Sequence, residues 1–201
     1  MKTITKIVLT GGPCSGKSTF MNLAKTYFEK KGYTILIDNE SATDLISGGI
    51  SPATMGMYQF QKYCIGLQLK KEELFEMAAK EIKGDHVLIF FDRAILDDKG
   101  YVSDEDFREI LSTFDIKEED LPSRYDMVIH LVTSAKGLEN VYSDETNKAR
   151  YEDTDGAVIV DDMLLKSWEV HPNHIIINSN SNFAEKMDTA IKCIDDYLKM
   201  R

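Results

Sequence analysis

Five short apolar runs punctuate the chain: Lys6–Thr10, Thr34–Asp38, His86–Asp92, Met127–Thr133 and His174–Asn178. Ile7-Val8-Leu9 and Val87-Leu88-Ile89-Phe90-Phe91 are apolar at every position rather than at alternate ones. A strand with one wet face alternates, whereas a strand covered on both faces does not. The runs therefore predict strands of a parallel sheet. Helical periodicity fills the intervals. Ser18–Lys31 stops at Gly32, a residue suited to ending a helix. Tyr58–Ile82 is long and amphipathic and stops before Gly84. Asp104–Thr113 opens on acidic side chains, which favour the positive end of a helix dipole. Asn182–Lys199 closes the chain. Strands alternating with helices predict an α/β fold, a five-stranded parallel sheet with helices on both faces. No repeat, low-complexity tract or linker divides residues 1–201, so one domain is expected.

Two stretches depart from this rhythm. Ser41–Met57 is rich in Ser, Thr and Gly, and Ser134–Val160 is polar and charged around "SDETNKARYEDTDG". Both are expected to be long loops, which in a compact domain usually serve function. Each follows a strand, so each is expected near the carboxyl edge of the sheet, where α/β proteins bind ligands. The second, about residues 134–160, is expected to form a mobile lid.

Charge and composition narrow the partners. The chain has 34 acidic against 24 basic residues, a net charge of −10. That opposes both nucleic-acid backbones and anionic membranes, which need a basic surface. Charges interrupt every apolar run, so no membrane span is expected. No signal-peptide core is seen, and an untargeted, cytoplasmic protein is expected. Cys14, Cys64 and Cys193 are far apart and show no zinc spacing, which suits a reducing compartment.

"GGPCSGKST" carries the chemistry. It follows the first strand and opens the first helix. Gly11-x-x-x-x-Gly16-Lys17-Ser18 satisfies the P-loop pattern. Its glycines let backbone N–H groups turn inward around an anion, and the helix start adds its dipole. Gly11, Gly12, Pro13, Cys14, Ser15, Gly16, Lys17, Ser18 and Thr19 are thus expected to bind nucleotide phosphates. Lys17 would reach the β- and γ-phosphates, and Ser18 would hold Mg²⁺. Asp92 ends "VLIFFDR" and is the expected second metal ligand. Arg93 would handle phosphate or substrate charge. Glu40, in "DNE" after the second strand, would accept a proton from an attacking hydroxyl or bind the acceptor; a solvated loop acid is the plainer alternative. Arg150 would close over the transferred phosphate from the lid.

"FFDRAILDDKGYVSDEDFREIL", "SRYDMVIHLVTSAKGLENVYS", "NKAR" and "SWEVHPNHIIINSNSNFAEKM" follow in order. With the P-loop they resemble the AAA-type P-loop ATPase/kinase-like family. Within it the chain is similar to the kinase domain of the NadR proteins and to the P-loop half of eukaryotic translocation-defect trafficking proteins. The resemblance implies a nucleotide-kinase-like fold that binds nucleoside triphosphate and Mg²⁺. It carries over Lys17, Ser18, Asp92, Arg93, Asp97 and Arg150 as site residues, and it puts Asn178 near the nucleotide base. Trp168 and His171 read as packing residues. The trafficking proteins' second domain and the NadR adenylyltransferase half have no counterpart here, so their activities do not transfer.

Two functions follow. One is an ATP-dependent kinase or ATPase with a small-molecule acceptor, selected by the Ser41–Met57 stretch with Gln59 and Gln61. The other is a nucleotide-dependent switch without an acceptor. GTP is the alternative donor, although Asn147-Lys148-Ala149-Arg150 lacks the aspartate of a guanine-reading Asn-Lys-x-Asp.

Overall fold

The computed structural model describes residues 2–136, 154–179 and 182–200. Five strands, β1 (Thr3–Thr10), β2 (Thr34–Asp38), β3 (His86–Asp92), β4 (Met127–Leu131) and β5 (His174–Ile177), form one sheet. Its order is β2-β3-β1-β4-β5, and every pairing is parallel. The predicted runs lie on these strands, with ends shifted by up to three residues. β1 begins earlier, at Thr3, and β4 ends earlier, at Leu131.

Side-chain alternation along each strand sorts the apolar residues into two cores. Ile7, Leu9, Leu88, Phe90 and Ile129 face one side, together with Phe20, Ala24 and Phe28 of α1 (Lys17–Lys30) and Met187, Ala190 and Ile194 of α8 (Phe183–Lys199). Val8, Val87, Ile89, Phe91 and Val128 face the other. There they meet Ile65 of α4 (Met57–Glu81), Phe107 and Ile110 of α6 (Asp104–Ser112) and Trp168 of α7 (Thr154–Trp168). Each fully buried Phe or Leu contributes roughly 1.5–3 kcal/mol, and the two-sided burial explains why these strands do not alternate. No described helix is long and apolar enough to cross a membrane.

The two polar stretches contain more helix than expected. Ser41–Met57 holds α2 (Ser41–Ser47) and α3 (Pro52–Met55). Pro52 opens α3, and Ser51 with Thr54 forms a capping box. These local devices form a short helix without an apolar stripe to announce it. The expected loop at 134–160 is helix from Thr154 onward, and residues 137–153 lie outside the described residues. Ala157, Asp161, Leu164 and Trp168 of α7 are buried at a helical spacing, with Ser167 buried beside them. An aspartate in the middle of that stripe hides it from hydropathy. α5 (Ile95–Asp98) is the other short helix that the apolar pattern does not announce.

Candidate functional site

Parallel pairing puts the carboxyl ends of β1, β3 and β4 side by side. Leu9 pairs with Asp92 across β1 and β3, and Thr10 pairs with His130 across β1 and β4. The P-loop leaves β1 at this edge, with Asp92 on the adjacent strand. Sheet order alone therefore brings Lys17, Ser18 and Asp92 together.

The loop's shape depends on glycine at its two ends. Gly11 has φ +133°, and a Cβ there would lie 2.1 Å from the Leu131 carbonyl oxygen. Gly16 has φ +95° and stands as the N-cap of α1. It offers no capping side chain, and the first turn of α1 has no acidic residue. The N–H groups and dipole of that turn thus have no internal anion to bind. Cys14 sits at the loop tip, exposed, with φ +56°.

Lys17 turns its ammonium onto the loop, 2.9 Å from the Gly11 carbonyl and 3.2 Å from that of Gly12. Burial, then the neighbouring Arg93 guanidinium, lowers its pKa to about 8. A phosphate here would supply the negative charge the ammonium lacks. Asp92 shows the opposite strain. Burial raises its pKa to about 6 against the pull of Lys17, and its Oδ1 is buried without a hydrogen-bond partner. A carboxylate oxygen held that way beside an exposed Ser18 suits a divalent cation. Among the described residues no group of three or more His, Cys, Asp or Glu could hold a metal alone. Ser18 and Asp92 would therefore need nucleotide oxygens to complete the shell.

Arg93 is a non-glycine residue at φ +68°. Such a conformation costs of order 1–3 kcal/mol and persists where its surroundings fix it. They do so here. Its N–H donates to Leu9 at 3.0 Å, and its carbonyl accepts from Gln68 of α4 at 3.1 Å. Its Nε donates to Glu40 Oε1 at 2.6 Å, and its Nη1 lies 3.6 Å from Asp97 Oδ1. Burial opposes the guanidinium charge, but Tyr101, Asp97 and Glu40 raise its pKa above the usual arginine range. Burial likewise opposes the Glu40 charge, yet Arg93 and a 2.7 Å hydrogen bond from Thr43 keep its pKa below the ordinary value.

Asp97 is buried and fully engaged. It accepts from Thr10 Oγ1, from the Ala94 N–H at 2.9 Å and from Trp168 Nε1 at 3.2 Å. Its position is that of a brace for Arg93 rather than a group open to a ligand. Trp168 packs against Tyr125 and His171 in the core, as expected, and in addition orients Asp97. His171 accepts from the Asn173 N–H on Nδ1 at 3.1 Å, which leaves Nε2–H to donate to the Tyr125 carbonyl.

Asn178 stands exposed just past β5. Arg150 lies outside the described residues. The structure thus brings Lys17, Ser18, Asp92, Arg93, Glu40 and Asp97 to one edge.

Two site-forming residues carry no sequence signal. Asp161 of α7 is completely buried, and its Oδ1 accepts from the N–H of Gly12 at 2.7 Å and that of Thr133 at 3.1 Å. His130 Nε2 lies 3.1 Å from the same oxygen, and Lys136 lies 2.9 Å from Oδ2. These partners hold the Asp161 pKa below the usual carboxylate range, in spite of burial. Lys186 of α8 is buried too, and donates to the carbonyls of Ser15 and Val132 and to Ser179 Oγ. Burial lowers its pKa to about 8. Asp161 and Lys186 clamp the P-loop from opposite sides, and only the fold brings them to it.

A family model described as "AAA domain" matches residues 6–186. The chain belongs to the AAA-domain family. That span begins at β1, takes in the P-loop, Asp92 and Asp161, and ends at the loop clamp Lys186. Nucleotide binding at the β1–α1 edge of this AAA domain is thereby supported from both sequence family and fold. No curated protein matches the chain.

Proposed function

We propose that this AAA domain binds Mg²⁺ and ATP and transfers the γ-phosphoryl group to a small-molecule acceptor in the manner of a kinase. The observation that carries the reading is the strained Arg93, held between Glu40 and Asp97 next to Asp92. Simple nucleotide binding needs no such residue, whereas phosphoryl transfer needs fixed positive charge beside the group in flight.

Lys17 and the N–H groups of the loop would bind the β- and γ-phosphates. Ser18 and Asp92 would hold Mg²⁺, which would neutralise charge on the phosphate oxygens. An acceptor oxygen would form a bond to the γ-phosphorus as the bond to the β-phosphate oxygen breaks, so that ADP leaves with that electron pair. The acceptor's proton would pass to Glu40. Its lowered pKa makes it a weak base, which suffices where the transition state is loose and the proton moves late. Arg150 is assigned to the transferred phosphate from its place in the polar stretch and from the resemblance, and GTP is the alternative donor. The cytoplasm is the proposed compartment.

A nucleotide-dependent switch is the second reading. The bond from Gly12 to Asp161 favours it, because α7 directly follows residues 137–153 and could report on the loop.

A metabolite library tests the choice. With purified protein, slow ADP release from Mg·ATP should rise when the right acceptor is added. Arg93→Lys should cut that stimulated rate by about tenfold or more, with ATP affinity changed less than about threefold, because arginine's fork geometry acts in the transition state. ATP binding with no acceptor-stimulated turnover would instead favour the switch.

A further inference from the structure

α4 is the key element. It has 25 residues and so spans about 37 Å, whereas the seven residues of β3 span only about 23 Å. The helix runs antiparallel to the strands. Near its C-terminal end, the Ala79 carbonyl accepts from Lys2, at the start of β1. Glu72 binds Arg124 and Tyr125, just before β4 begins. Gln68 reaches the Arg93 carbonyl, at the carboxyl edge. The turns that precede Gln68 therefore rise past the sheet and wall the space beside the P-loop.

On that overhang the same helix face carries Gln61 and Cys64. Gln61 is 4% exposed, and its Nε2 is engaged by Met57 Sδ, yet its Oε1 is buried without a partner. Cys64 lies beside Asp98 of α5, whose pKa burial raises well above the ordinary carboxylate value, and the charges of Glu40 and Arg93 act on both. Asp98 is 7% exposed, and its Oδ2 has no hydrogen-bond partner. Arg93 Nη1 is also without a hydrogen bond. Buried polar atoms left unpaired cost roughly 1–3 kcal/mol each. Several of them on adjoining elements, α4, α5 and the turn after β3, call for a polar ligand.

Resting on the phosphoryl-transfer reading, we propose that Gln61, Asp98 and Glu40 form the acceptor subsite. It takes a small molecule rich in O–H or N–H donors, neutral or cationic, that carries no phosphate of its own. The inventory sets the class. Gln61 Oε1 and the Glu40 carboxylate want donors, and Arg93 Nη1 offers one. Asp98, whose pKa burial raises well above the ordinary carboxylate value, can donate or accept. Hydroxyl and amine groups satisfy that mixture. A phosphomonoester would bring about −1.5 to −2 charge. Gln61, Cys64, Gln68, Asp98 and Tyr101 provide no cation to meet it, and Arg93, held by Glu40 and Asp97, is assigned to the phosphoryl in flight.

The test uses the full chain with Mg·ATP and matched probes: nucleosides against their 5′-monophosphates, and glucosamine against glucosamine 6-phosphate. At least one unphosphorylated probe should raise ADP formation about tenfold or more, while its phosphorylated partner should not. Gln61→Met keeps the side chain's size, and Asp98→Asn keeps its shape. Each should raise KM for that probe about tenfold and leave ATP affinity within about twofold. Stimulation confined to phosphorylated probes would overturn the subsite while leaving phosphoryl transfer standing. So would KM values unmoved in both variants. No stimulation by any probe, with ATP still bound, would also overturn it. Loss of ATP binding in the unaltered chain, or ATP binding with no stimulation by any member of the metabolite library, would instead remove the underlying reading.

Discussion

Lys17→Ala is expected to weaken Mg·ATP binding about a hundredfold or to abolish turnover, with the melting temperature unchanged or slightly raised. The two halves of this prediction have one cause. Lys17 keeps its charge beside Arg93 in a partly desolvated loop, with a pKa lowered to about 8. Its ammonium meets only two backbone carbonyls and, at 3.4 Å, the Ser15 hydroxyl. Deleting it removes a charge the fold holds at some expense, so stability should not fall. Deleting it also removes a charge-assisted bond to phosphate, and truncating one partner of such a pair costs 2 kcal/mol or more. Calorimetric titration and thermal melts of both proteins check the two halves. Equal ATP affinity in parent and variant would dismiss the P-loop assignment.

The second large effect is on the fold. Gly11→Ala is expected to destabilise the chain by about 4 kcal/mol or to prevent folding. The new methyl would sit 2.1 Å from the Leu131 carbonyl oxygen, at a backbone φ of +133° that an L side chain rarely adopts. That oxygen belongs to β4, the direct neighbour of β1. It cannot withdraw without opening the sheet edge on which the whole site stands. Urea unfolding of the two proteins measures this. A variant as stable as the parent would mean that the loop leaves β1 by another path.

These two residues were legible in the sequence, because backbone geometry dictates glycine and phosphate charge dictates lysine. The strands were legible for a similar reason. Phe90 and Phe91 both need burial, and only a sheet covered on both faces buries adjacent positions. Asp92 stood out as the polar residue ending that run. Asp161 and Lys186 did not stand out. Each is a buried charge whose P-loop partner lies more than a hundred residues away, Gly12 for one and Ser15 for the other. No local pattern distinguishes them from the surface charges that fill α7 and α8. α3 was hidden because it rests on a capping box and Pro52 instead of an apolar stripe. Asp97 was flagged by resemblance as a site residue, and its three hydrogen bonds explain its place there: it holds Arg93.

The central claim is that triphosphate binds at the P-loop through a metal shared by Ser18 and Asp92. Titration calorimetry of the unaltered chain with ATP, in Mg²⁺ and again in EDTA, tests it most directly, with Asp92→Asn as the companion. The account predicts tight binding in Mg²⁺, about tenfold or more weaker binding in EDTA, and an Asp92→Asn protein that binds nearly alike in both. Equal affinity of the unaltered chain with and without Mg²⁺ would contradict it.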